Sequence, residues 1–455
     1  MILGDPFEAF VKASPVSVMM RGIIENTFDS QRLNELFEKT AESQYTRYLP
    51  FSTVADLMSE VVFNISPSIG AAYQANCETI DVSRKSVYNK LNGVEPKVSQ
   101  TLVHDTVAHF APVIDALAAT LPPLLNGYQI KILDGNHFSA TEHRLEELRS
   151  IQDAPLPGQA LVVLDPQLKL ATKVIPCEDA YAQERALLEQ ILPDVTPGDL
   201  WLGDRNFCTL KFLFGIDQRG AKFLIRQHGN MKGTLLGTRT FKGYTDTGKV
   251  YQQRLLLTCS VTGKTLIVRR ITLELFEPTT DGETTIHLLT NLPLADAKPG
   301  KLAGLYQKRW CIETMFQELT ETLTCEIKTL AYPKAAILAF CLALVAYNGI
   351  SAALRAVHGR QTVETEISGY YLSLEISKTY AGMMIAIPEE KWVIFRHLTP
   401  VQLANILREL AGYVVLPKFQ KHPRGPKKPR PKRTKISEGH HVSTARILAK
   451  RNRTH

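Results

Sequence analysis

Three acids occupy positions where a chain places either a turn or a site. Asp134 follows Ile132 and Leu133 in "YQIKILDG", and Asp204 closes "LWLGD" in "LWLGDRNF". Each ends a run of β-formers, and carboxylates at strand ends project from a sheet edge where ligands bind. Aspartate is also common in plain turns after strands. Asp165 in "VVLDP" reads that way, as an Asp-Pro hairpin opening. The third acid, Glu313, lies in "YQKRWCIETMFQELTETL". At about 100° per residue, Tyr306, Arg309, Glu313 and Thr320 fall within roughly 60° of one another on a helix. Leu305, Ile312, Phe316, Leu319 and Leu323 form the adjacent apolar face. As an i,i+4 ion pair, Arg309 and Glu313 are worth only a few tenths of a kcal/mol, in the less favourable order.

Two strand-end aspartates and a helical glutamate make an all-oxygen, trianionic set that suits Mg²⁺ or Mn²⁺. A pair of such ions activates an attacking water or hydroxyl and stabilises the leaving oxygen in phosphoryl transfer. Arg309, one turn before Glu313, holds a phosphate oxygen without deprotonating. Tyr306 bonds a phosphate or stacks on a base.

The elements that must position these residues are readable by texture. The first hundred or so residues are helical, with apolar residues three and four apart in "NELFEKTAESQ" and "STVADLMSEVVF". Within them, "VSRKSVYNKLNGV" reads either as a plain solvated amphipathic helix or as the second helix of a helix-turn-helix. Ser83 caps it, Val87 and Leu91 face inward, and Arg84, Lys85, Asn89 and Lys90 face out. From Tyr128 strands and helices alternate as β-β-β-α-β-α-β, including a helix in "DAYAQERALLEQIL" and a strand in "AKFLIRQ" that ends at Arg226. A Thr- and Gly-rich stretch from His228 to about Leu292 reads as a β-rich insertion, and helix returns at Lys301. The longest uncharged apolar run, Ala335–Tyr347, is too short to span a bilayer and predicts a buried helix.

Composition narrows the class. The apolar fraction of 44% and charged fraction of 22% are those of a globular protein. No signal peptide is read near the start, no membrane partner is expected, and a cytoplasmic location follows. Seven scattered cysteines without a CxxC pair argue against a zinc site or a disulfide framework and read as reduced thiols. The net charge of +8 is concentrated at one end: from Lys418 onward thirteen basic residues face one acid, Glu438. The tail therefore carries +12 and the remainder −4. "RGPKKPRPKRTK", with Lys427, Lys428 and Arg430, has the composition of an extended phosphate-binding arm or of a solubilising terminus.

Tyr306–x2–Arg309–x3–Glu313 resembles the YREK signature of DDE transposases of bacterial insertion sequences, in the insertion-sequence-four family. "DGNHF" at Asp134 and "GDRNF" at Asp204 resemble that family's two aspartate boxes, and "LLTNL" fits ahead of the last box. The resemblance covers roughly Tyr128–Tyr347. It implies an α/β fold: a ribonuclease-H-like mixed sheet with helices on both faces, interrupted by a β-rich insertion. It also implies Asp134, Asp204 and Glu313 as a catalytic triad holding two Mg²⁺ or Mn²⁺ ions, with Tyr306 and Arg309 as DNA contacts. The signature lysine is replaced by Thr320, so that contact is either missing or supplied by another residue such as Lys328. With the family in view, Arg84, Lys85, Lys90, Lys427, Lys428 and Arg430 become expected DNA contacts.

The expected organisation is a helical end-binding domain (1–125), a catalytic core (126–227 and 293–355) and a β-rich insertion (228–292). A helical C-terminal region (356–417) and a basic tail (418–455) follow. The expected partners are double-stranded DNA, at the element ends and the target, and a second copy of the chain in the synaptic complex. The expected activity is metal-dependent cleavage and strand transfer. The alternatives are a nuclease of the same fold without strand transfer and a non-catalytic DNA-binding relative.

Overall fold

Helices account for the start of the chain: α1 (Asp5–Ala13), α2 (Pro15–Thr27), α3 (Ser30–Thr40), α4 (Phe51–Val62), α5 (Ile69–Ala75), α6 (Arg84–Gly93) and α7 (Pro96–Ala116). A computed structural model describes residues 3–42, 48–150, 154–259, 262–279, 281–361 and 367–421. Side-chain caps set several starts. Asp29 accepts the N–H groups of Gln31 and Arg32, and Ser83 accepts that of Ser86 at 3.2 Å. In α6, Val87 and Leu91 are buried and Arg84, Lys85 and Asn89 exposed, as their spacing predicts. Lys90 departs from that expectation. It turns inward, where its Nζ donates to the Leu49 carbonyl at 2.5 Å and lies 4.9 Å from the Phe37 ring centroid. The aliphatic stem is absorbed by the core while the ammonium finds a carbonyl and an aromatic face.

The central feature is a nine-stranded mixed sheet in the order β3-β2-β1-β4-β5-β9-β8-β7-β6. β1 (Gln129–His137), β2 (Gln159–Asp165) and β3 (Leu170–Cys177) form an antiparallel meander, and β4 (Asp199–Gly203) and β5 (Lys222–Arg226) run parallel to β1. Asp165 does open the β2–β3 turn: its Oδ1 accepts the N–H groups of Gln167 and Leu168 at 2.9 and 3.0 Å. Where one helix is predicted ahead of β4, the chain forms the short α8 (Glu184–Leu187) and then 3₁₀ turns at Leu188–Gln190 and Leu192–Asp194. Pro193, with no N–H to donate, sits in the second of these turns. α9 (Leu210–Gln218) follows β4 and is capped by Thr209.

The Thr- and Gly-rich stretch supplies β6 (Thr234–Thr245), β7 (Gly248–Thr258), β8 (Thr265–Leu275) and β9 (Thr285–Thr290). These strands continue the same sheet, because β9 pairs antiparallel with β5. The residues of "LLTNL" stitch that seam. Thr290 Oγ1 donates to the Phe223 carbonyl at 2.5 Å, and Asn291 Oδ1 accepts the Phe223 N–H at 2.9 Å. Asn291 Nδ2 adds bonds to Asp217 and to the Ala221 carbonyl.

After the sheet come α10 (Pro299–Gln307), α11 (Trp310–Glu321), α12 (Pro333–Arg360), α13 (Gly369–Ala386), α14 (Glu389–Trp392) and α15 (Pro400–Ala411). The predicted apolar run is thus part of a longer helix. By length and composition α12 could cross a membrane, yet it is largely buried within this chain, packed against α2, α4, α7, α15 and β3. Asn348 in α12 clamps β3: it accepts the Ala171 N–H at 2.8 Å and donates to the Ala171 carbonyl at 3.0 Å. The chain through Gln420 forms one compact unit.

Candidate active site

The last registered pair between the parallel strands β1 and β4 is Ile132 with Leu202. Two residues further along each strand stand Asp134 and Asp204. Both carboxylates therefore leave the same edge of adjacent parallel strands, on matching sides of the pleat. Asp134 is not at the end of β1, as predicted, because β1 continues beside β2 to His137. It marks the point where β1 parts from β4. Asp134 Oδ1 accepts the Gly135 N–H at 3.0 Å. Asp204 begins a 3₁₀ turn (Arg205–Phe207), its Oδ1 accepting the Asn206 N–H at 2.7 Å. One Asp204 oxygen thus does the ordinary work of an aspartate after a strand.

Glu313 arrives on α11, which packs against β1 through a face that includes buried Ile312, Met315 and Leu319. The helix predicted to run unbroken through Tyr306 and Glu313 is interrupted. Between α10 and α11 the bonds are of i→i+3 type, Arg309 N to Tyr306 O at 3.0 Å and Ile312 N to Arg309 O at 3.1 Å. This tighter turn shifts the phase of everything after it. Met315 accordingly takes the fully buried place and Phe316 only a partly buried one. Thr320 turns back on its own helix, donating to the carbonyls of Phe316 and Gln317.

The break aims Arg309 between two of the acids. Its Nη1 donates to Asp134 Oδ2 at 2.8 Å and its Nη2 to Glu313 Oε1 at 2.5 Å. The Arg309 side chain is 11% exposed, that of Asp134 17% and that of Glu313 51%. Arg309 Nε is buried without a hydrogen-bond partner. Burial pushes the Asp134 carboxyl up to about 7, with Asp204 and Glu313 adding to the rise and Arg309 and the Gly135 N–H opposing it. Burial raises the Tyr306 hydroxyl to about 12, and the tyrosine lies against Arg309 and within electrostatic range of Arg226.

A divalent cation is the ligand whose chemistry these groups match. The donors are carboxylate oxygens, and one of them is held near neutrality by burial and like charge. Among the described residues no three His, Cys, Asp or Glu side chains stand together as a ready-made metal cluster. The Arg309 guanidinium lies between Asp134 and Glu313, so drawing the acids together requires it to move.

Sequence reasoning missed Glu184, His137 and Arg205. Glu184 of α8 covers Gly135, where a Cβ would come within 2.0 Å of its Oε1; its carboxyl is raised by burial and lies within range of Asp204. His137 Nδ1 stands 3.9 Å from the same carboxylate. Arg205, beside Asp204, and Arg226, at the end of β5, both reach Glu283. The glycine of "DGNHF" was the one available hint at Glu184. Of the predicted DNA contacts, Arg84 and Lys85 are exposed and Lys90 is buried, while Lys427, Lys428 and Arg430 lie outside the described residues.

No curated protein matches the chain. One similar solved structure is the piggyBac transposase synaptic complex with hairpin DNA, determined by cryo-electron microscopy. It shares 10% identity, covers 86% of this chain and 84% of its own, and superposes with a TM-score of 0.43. Residues 126–348, the stretch that holds Asp134, Asp204, Arg309 and Glu313, match the family model described as the transposase DDE domain.

Proposed function

We propose that this protein is a DNA transposase of the insertion-sequence-four, YREK type, which binds the terminal inverted repeats of its element, cleaves there and joins the freed 3′-OH to target DNA. The observation that carries the reading is the level placement of Asp134 and Asp204 on adjacent parallel strands, joined to Glu313 through Arg309, inside the matched domain. The strand order 3-2-1-4-5, with β2 alone antiparallel to the rest of that group, supports a ribonuclease-H-like core with β6–β9 as its insertion.

Asp134, Asp204 and Glu313 are the residues that would hold two Mg²⁺ or Mn²⁺ ions. When bound, such ions supply an activated water or 3′-hydroxyl and stabilise the leaving oxygen. Arg309 and Tyr306 then serve the DNA: the guanidinium exchanges its carboxylate partners for a phosphate oxygen, and the tyrosine contacts the backbone or a base. Arg84 and Lys85 of α6 and the basic tail contact DNA outside the site. Two copies act together on paired ends, in the cytoplasm on the nucleoid.

The test is magnesium-dependent nicking of a duplex that carries the inverted repeats flanking the gene. Glu313→Gln is expected to abolish nicking while retaining DNA binding; cleavage equal to the parent would overturn the triad. Joined product distinguishes a transposase from a nuclease of the same fold. Binding without any cleavage by the parent indicates a non-catalytic relative.

A further inference from the structure

Two guanidinium groups from different elements converge on one carboxylate beside the acids. Arg205 Nη1 donates to Glu283 Oε1 at 3.2 Å, and Arg226 Nη2 pairs with Glu283 Oε2. Arg205 follows Asp204 directly, and Arg226 ends β5, the strand next to β4. Glu283 comes from outside this edge, on the β8–β9 loop, where the Thr279 N–H donates to its carbonyl and Thr279 Oγ1 accepts its N–H. Two forked donors at the ends of neighbouring parallel strands form a receptor for an oxyanion with two free oxygens. A carboxylate and a phosphodiester both satisfy that description.

We propose that Arg205 and Arg226 form a phosphate-binding site for the DNA strand that enters the active site, and that Glu283 occupies it as an internal stand-in for the phosphate until DNA displaces it. The proposal rests on the transposase reading above. Placement supports it: Arg226 lies within electrostatic range of Tyr306, which itself lies against Arg309. The cationic groups therefore run beside the acids along one sheet edge, as successive phosphates of one strand require. Glu283 is partly exposed, at 33% of its side chain, so water already reaches the carboxylate and its departure does not require the core to open. DNA binding then carries a penalty equal to the Glu283 pairing, and releasing the β8–β9 loop becomes part of substrate capture.

The test uses the full-length chain and a short duplex of the DNA flanking the gene, with affinity measured across a range of salt. Glu283→Gln is expected to tighten binding by about threefold to tenfold at ~0.1 M salt and to steepen the salt dependence by up to about 0.9, the value for one more phosphate. Glu277→Gln removes the same charge from an exposed residue nearby and controls for net charge. The gain should vanish when Arg205 and Arg226 are both glutamine, since the effect belongs to the pair of arginines. A parent that binds while Glu283→Gln behaves like Glu277→Gln overturns this inference alone, as does a gain that persists without the arginines. Failure of the parent to bind the duplex overturns the transposase reading and this inference with it.

Discussion

Arg309 is held on two sides, and its replacement discriminates between charge and shape. Its fork reaches Asp134 and Glu313 at once, which a lysine ammonium on a flexible stem does not reproduce. Arg309→Gln is expected to lower stability by about 1–3 kcal/mol in urea unfolding, because the largely buried Asp134 is left without its counter-charge. Arg309→Lys should recover only part of that loss. Asp134 gives a pH signature. Its carboxyl titrates near 7 in the fold, against about 3.9 in an unfolded chain. The folded state then binds more protons between about pH 4 and 7, so this group makes stability fall as pH rises through that window. Asp134→Asn should flatten that slope and be more stable than the parent at about pH 8, by at most about 4 kcal/mol. Thermal melts from about pH 4 to 8 check it, and an unchanged slope would remove Asp134 as its source. The acids themselves were legible in the sequence because each follows a run of apolar β-formers or sits beside an apolar stripe. Glu184 was not, because its contact with Gly135 depends on where α8 crosses β1.

At the scale of elements, periodicity located strands and helices wherever one residue spacing holds throughout. It failed at the joint between α10 and α11, where an extra-tight turn resets the phase that a uniform 100° step assumes. It also failed at Lys90, whose polar head is accommodated by one carbonyl and one ring from distant segments. Such partners are set by tertiary packing and leave no trace in local pattern. The clamp of α12 on β3 is similar: Asn348 lies in an apolar run, and only the fold shows that it satisfies both backbone groups of Ala171. Asn348→Leu is expected to destabilise the protein by about 2–5 kcal/mol, since it strands a buried N–H and a buried C=O together. DNA binding by the folded fraction should be unchanged. If the variant melts with the parent, the clamp contributes nothing net.

For the whole molecule, the compact unit ends at Gln420, and most of the basic excess lies beyond it. Removing residues 422–455 takes away eleven basic residues and Glu438, a net of +10. The truncated chain should keep the parent's melting temperature but bind duplex DNA at least about tenfold more weakly at ~0.1 M salt, with a shallower salt slope. Equal binding by the truncated chain would assign the tail a solubilising role. The single sheet has a further consequence for how the molecule opens. β7 and β8 share eleven registered pairs, whereas β5 and β9 share three, reinforced by Thr290 and Asn291. The two halves of the sheet are thus separate candidates for cooperative local unfolding, joined at a narrow seam. In native-state hydrogen exchange, amides of Leu224–Arg226 and Leu288–Thr290 should lose protection well before those in the middle of β7 and β8. Arg226 lies in that seam, so the proposed phosphate site shares its strand pairing with the segment expected to yield first.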